Sequence, residues 1–175
     1  MAAAVRVIAV QGLSAPTALI AKEAGISNGS LFTYFPTKTD LLNQLYVGLK
    51  VEMAGTALAD FPAKGDVKAQ LHSVWSHWLV WTMTNPEKRR ALTHLGVADE
   101  ITAQSRQASR QAMAPVADLL ERSRAVGPMR DMPLSFVVTL MSVLAEATID
   151  TMLQDPNNNE HYAQAGFDAM WRMLN

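Results

Sequence analysis

The chain has 175 residues, 49% of them apolar and 18% charged, with a net charge of −1 and no cysteine. That length can bury one sizeable core or two small ones, and the lack of cysteine excludes disulfides, thiol catalysis and cysteine-held zinc. The near-zero charge excludes a generally basic nucleic-acid coat, although Arg6, Lys22, Lys38 and Lys50 outnumber Glu23 and Asp40 up to residue 50 and leave the remainder acidic.

The opening MAAAVRVIAVQG is apolar but short, lacks a basic leader and runs into a helix predicted over Ala2–Gln11, with Val5, Ile8 and Ala9 inward. It does not read as a signal peptide. No stretch approaches the uninterrupted apolar length of a membrane span, which predicts a cytoplasmic protein with no membrane partner. A second helix follows, placing Ile20, Ala21 and Ala24 on one small face. Gly25 ends it in the left-handed conformation, and Ile26 supplies the apolar contact that follows such a cap. Ser27 caps a third helix by accepting from the backbone of Ser30, leaving Asn28, Gly29, Ser30, Thr33 and Tyr34 as a polar face opposite Leu31 and Phe35.

This is a helix-turn-helix pattern. The second helix of such a pair enters the major groove by its first turn, where small and polar residues let the backbone approach base edges. Pro36 stops it, and Thr37 with Asp40 gives a T-x-x-D start, similar to a capping box, to a helix over Lys38–Leu58. As the sole connection between head and body, that helix would be the lever. A Pro and Gly break at 61–66 precedes a helix over Val67–Thr84, and Asn85 with Pro86 starts another. A longer one over Glu100–Ala125 is predicted to kink at Pro115, and two more cover Pro133–Leu153 and His161–Leu174. All of this spacing is helical, with no alternating strand run. The fold class is all-α, about nine helices, divided into a three-helix head at 1–46 and a helical body at 47–175.

Residues Ala21 to Leu41, AKEAGISNGSLFTYFPTKTDL, match the run A-x-x-A-G-[VI]-S-x-G-[ST]-[LIF]-[YF]-x-[YH]-F-x-[ST]-K-x-x-L. This resembles the DNA-binding domain of the tetracycline-repressor (TetR) family. The resemblance implies a transcriptional regulator, a repressor whose hold on a palindromic double-stranded DNA operator is relieved by an unknown small-molecule effector. It further implies a homodimer with no cofactor, metal or catalytic residue. On the matching positions, Asn28, Ser30 and Thr33 would reach base edges, Ser27, Tyr34 and Lys38 would hold phosphates, and Gly29 would permit close approach. Thr17, near the start of the second helix, is a further phosphate candidate. The chain departs from the family pattern where Asn28 replaces a frequent cation, Phe32 a frequent tyrosine and Ala18 a polar or basic group. Met1 also stands where an apolar residue inside the first helix is usual. With few cations per head, tight binding requires two copies.

In the body, Trp75, Trp78 and Trp81 lie with Leu71, Val74 and Met83 on a helix apolar on more than one face, which is either buried or borders a cavity. Ordinary core is the plainer reading. The resemblance implies a ligand pocket there, with Met113, Val116, Phe136, Leu140 and Met141 on opposing walls. Glu146 and Asp150 extend a stripe with Thr139 and Ser142 that is either a solvated face or, if it faces a pocket, a site favouring a cationic effector. The histidines at 72, 77, 94 and 161 lack metal-ligand spacing. The last two helices have an apolar stripe to bury, and the resemblance implies that they dimerise as a four-helix bundle through Leu144, Met152, Phe167, Met170 and Trp171. An enzyme would need a nucleophile elbow, a phosphate-cradling glycine loop or a carboxylate pair on the head, and none is present. The alternative function is a helical ligand-binding or partner-binding module without DNA binding.

Overall fold

A computed structural model describes residues 1–59, 61 and 66–175, so Pro62 to Gly65 of the expected break lie outside the described residues. Among those described, every regular element is helical: α1 Ala2–Gln11, α2 Thr17–Glu23, α3 Asn28–Tyr34, α4 Lys38–Ala57, α5 Val67–Thr84, α6 Pro86–Gly96, α7 Ala103–Ala112, α8 Ala114–Ser123, α9 Leu134–Gln154 and α10 Asn159–Leu174, with a 3-10 turn at Pro156–Asn158. Where one kinked helix was expected around Pro115, the chain forms two. Proline has no N–H for the carbonyl one turn back, and its ring collides with a continuing helix. Met113 leaves the helix, and Pro115 sits in the first turn of α8, where backbone donors have no helical partner anyway.

The helices form two compact units. Met1–Met53 joins Asn85–Met113 in the first, and Ala54–Thr84 joins Ala114–Asn175 in the second. This differs from the division expected after residue 46. It also corrects the expectation that α4 alone connects them, because the chain passes between units at 53/54, 84/85 and 113/114.

In the first unit, Ala3, Ala4, Val5, Val7, Ile8 and Ala9 are all buried, since α1 packs against α2 and also against α6. Ala91 and Leu95 of α6 enter the same core as Ile20, Leu31, Leu41 and Leu45. Asn43 of α4 fastens the chain that follows α6. Its amide donates to the carbonyls of Thr39 and Glu100, each at 2.8 Å, and its oxygen accepts from the N–H of Thr102 at 2.8 Å and from the Thr102 hydroxyl at 3.1 Å. Thr102 in turn caps α7.

The second unit is built on close approach of α5, α9 and α10. A Cβ at Gly166 of α10 would lie 2.5 Å from Thr148 Oγ1 on α9 and 2.9 Å from Trp75 on α5. Only glycine lets these helices meet there. The Trp75 indole donates to the Ala163 carbonyl at 3.0 Å, satisfying the one polar atom of a buried ring. Arg124 is buried in the segment after α8, where it donates to the carbonyls of Met129, Arg130 and Met132 and pairs with Glu121 at 2.7 Å. Between α9 and α10, hydrogen bonds from Asn158 and Tyr162 hold the Asp155 carboxyl below its usual range, and the same contact raises the Tyr162 phenol.

Helix α9 requires a correction to the membrane expectation: by length and composition it could cross a bilayer, yet about a third of it is buried within the chain. Val137, Met141, Ala145, Ile149 and Met152 face the unit's own core. On the other side Phe136 and Val143 are 47% and 63% exposed. Of the expected dimer residues, Met152, Phe167 and Met170 are buried inside their own unit. Leu144 and Trp171 are half-buried.

The Gly166→Ala variant is predicted to lose about 1–3 kcal/mol of stability through overpacking, read as a lower urea or thermal midpoint. An unchanged midpoint would mean that α5, α9 and α10 have slack at this crossing.

Candidate nucleic-acid interface

The turn between α2 and α3 is set by backbone hydrogen bonds on both sides. Gly25 has φ 70°, its N–H donates to the Lys22 carbonyl at 3.1 Å, and the Ile26 N–H reaches back to Ala21 at 3.0 Å. That double bond closes α2 as a Schellman motif. Two residues on, the Ser27 hydroxyl accepts from the Ser30 N–H at 3.0 Å and opens α3, as its place in the sequence predicts. At the far end, the Thr37 N–H and hydroxyl donate to the Asp40 carboxylate at 3.0 and 2.7 Å, and the Asp40 N–H donates to the Thr37 hydroxyl at 3.1 Å. This reciprocal box starts α4. Leu31 anchors α3 in the core with Ile20, while Ala24, expected on the packing face, is exposed.

Asn28, Gly29, Ser30, Phe32, Thr33 and Tyr34 are all exposed, and Tyr34 reaches 72%. Their polar groups differ in availability. The Ser30 hydroxyl is paired with Ser27 at 2.8 Å, and the Thr33 hydroxyl donates to the Gly29 carbonyl at 3.3 Å. Lys38 is half-buried and donates to the Leu13 carbonyl at 2.6 Å, which ties α4 to the segment before α2. An ammonium has two further donors for a phosphate. Thr17 is half-buried at the first position of α2. Arg6 is taken up by Glu23 at 2.7 Å, whereas Lys22 is exposed in the last turn of α2.

Gly29 is informative because the protein itself does not require it. A Cβ there would touch only the Ser27 hydroxyl at 3.8 Å, an ordinary contact. A glycine inside a helix costs about 0.5–1 kcal/mol relative to alanine. The space it leaves opens to the outside of α3.

The candidate pocket residues differ in burial. Trp75 and Trp81 are buried in α5, with Trp78 half-buried and edge-on to Trp75 at 6.5 Å. Met141 faces the core, while Phe136, five residues earlier on α9, faces outward, which corrects its assignment to the pocket. Met113 belongs to the first unit and the three tryptophans to the second. Glu146 is half-buried and Asp150 exposed, on the outward side of α9.

Residues 1–45 match the family described as bacterial regulatory proteins, tetR family. Among curated proteins, the chain is 24% identical over 162 residues to the nucleoid occlusion factor SlmA of Mannheimia succiniciproducens, covering 90% of this chain and 74% of that protein. A TetR-family transcription regulator structure from Shewanella sp. PV-4 superposes with a TM-score of 0.86 at 28% identity, over 97% of this chain and 93% of that one. The FadR regulator of Bacillus subtilis in complex with stearoyl-CoA shares the fold, with a TM-score of 0.68 at 18% identity over 99% and 94% of the two chains.

Two substitutions separate binding from folding. Gly29→Ala is predicted to raise the thermal midpoint while weakening DNA binding, and Tyr34→Phe to weaken binding with an unchanged midpoint. Wild-type binding by either variant in an anisotropy titration would remove that residue from the interface.

Proposed function

We infer that this chain, a member of the TetR family of bacterial regulatory proteins, is a DNA-binding transcriptional regulator that represses as a dimer until a small molecule releases it. The observation that carries this reading is α3: capped by Ser27, anchored by Leu31, and exposing a row of small and polar residues. Asn28 and Thr33 are the proposed base-edge contacts, Tyr34, Lys38 and Thr17 the proposed phosphate contacts, and Gly29 the point of close approach. Ser27 and Ser30 serve the cap first, and their mutual bond leaves one hydroxyl hydrogen and the remaining lone pairs for DNA. The family match over residues 1–45 and the likeness to a TetR-family regulator structure support a regulator rather than an enzyme.

A second copy is the proposed partner of α9. Phe136, Leu140, Val143 and Ala147 recur at alternating spacings of four and three, the pattern that packs helices at a shallow crossing, and none of them is buried within the chain. These residues replace Met152, Phe167 and Met170 as the interface candidates, with Leu144 retained at the edge. Two-fold pairing presents two recognition helices to a palindromic operator and doubles the phosphate contacts of a head poor in free cations.

The effector site is proposed in the second unit, beside the half-buried Trp78. The presence of stearoyl-CoA in FadR supports the fold's capacity for a ligand. Release requires that the ligand prefer the form unable to hold DNA, and a preference of about 100-fold corresponds to roughly 2.7 kcal/mol.

Fluorescence anisotropy on intergenic DNA flanking the gene, at two salt concentrations beside an unrelated duplex, tests the function. Selective binding that weakens with salt is expected. Binding no better than to the unrelated duplex would leave the helical ligand-binding or partner-binding module. Val143→Glu is predicted to yield a monomer by sedimentation, with helix content retained and operator binding reduced at least tenfold. A dimer of Val143→Glu would move the interface elsewhere.

A further inference from the structure

We propose that α3 reads thymine methyl groups, so that the centre of each operator half-site is made of A·T pairs; this rests on the DNA-binding reading above. Three observations on one short helix point the same way. First, the Thr33 and Ser30 hydroxyls already have partners within the protein. Thr33 donates its hydroxyl to the Gly29 carbonyl at 3.3 Å, which leaves its γ-methyl as the group directed away from the backbone, and Ser30 is paired with Ser27 at 2.8 Å. Second, Phe32 is 39% exposed, four residues from Asn28 on the same side of α3. A phenyl ring gains nothing from a phosphate, and the apolar group that B-DNA offers in its major groove is the C5-methyl of thymine.

Third, α3 has no cation. Guanine is read most often by arginine or lysine at O6 and N7, and NGSLFTY contains neither. Lys22 belongs to the first helix of the pair, which crosses the backbone, and Lys38 is held by the Leu13 carbonyl. With the Tyr34 hydroxyl assigned to a phosphate, the exposed Asn28 amide is the side chain of α3 left for a bidentate base contact, and its paired donor and acceptor match N6 and N7 of adenine. Gly29, adjacent to Asn28 and one turn before Thr33, lets the backbone come close enough for a methyl-to-methyl contact. An asparagine, a phenyl ring and a threonine methyl thus compose a surface for adenine and thymine.

The test uses the full chain and random duplex DNA. Sites enriched by the wild-type protein are expected to have half-sites with A·T pairs at their centre. Each thymine there is then replaced singly by uracil, which removes the methyl and leaves the pairing intact. At contacted positions the wild-type protein should lose about fourfold in affinity per methyl. Phe32→Ala and Thr33→Ser should each bind more weakly and lose the uracil response at one position, whereas Thr33→Val, which retains a methyl, should keep it. Thermal midpoints of the variants confirm that α3 is folded. Enriched sites with G·C pairs at the centre, or indifference to uracil throughout, would overturn the proposal while leaving DNA binding in place. A selection that enriches nothing would overturn the DNA-binding reading itself, and the proposal with it.

Discussion

Neither α2 nor α3, at seven residues each, can persist as a helix in water by itself, because isolated helices below about 12–15 residues are marginal. The reading surface therefore exists only as its surroundings impose it. Gly25 in the left-handed conformation, the Ser27 cap and the Thr37–Asp40 box tie the backbone at three successive corners, and Leu31 supplies the single deep anchor of α3. The exposure of Gly29, the inward turn of the Thr33 hydroxyl and the outward reach of Tyr34 all follow from those four points. Loss of any one of the capping bonds would loosen that face, at a cost of about 0.5–2 kcal/mol.

A second layer of support comes from far along the chain. Helix α6 closes the side of α1 that α2 leaves open, and Asn43 holds the residues between α6 and α7 with each of its polar atoms engaged. Buried amides that are fully satisfied in this way rigidify what they join, and half-satisfied they would be a liability. The head is accordingly a composite of two separated stretches of sequence. Effects on DNA binding can enter it through α6 and α7 as well as through α4.

The parts of this arrangement that were legible in the sequence are those whose partners lie within a few residues. The Gly25 turn, the Ser27 bond to Ser30, the T-x-x-D box and the first-turn proline of α6 are local chemistry, and the residues state them directly. Pro115 was legible as a break and misread as a kink, because whether the helix restarts depends on what its two halves pack against. The membership of α6 in the head was not read, although α1 carried the signal: a helix with apolar residues on more than one face needs more than one neighbour. Which apolar residues of α9 and α10 are buried within the chain was illegible for a related reason. An apolar stripe shows that a face will be buried, and it does not say whether the burial is within the chain or against another. Phe167 and Met170 went to the core, and Phe136 and Val143 remained outside.

The discontinuity of the first unit has a consequence for how the protein is made. During synthesis residues 1–53 precede α6, so the strip of Ala and Val side chains on the α6 side of α1 stays uncovered until Ala91, Leu95 and Ile101 follow. The long-range contacts between α1 and α6 must close a loop that includes all of α5, so they form after the local turns. The first unit thus completes its core only when α6 has emerged.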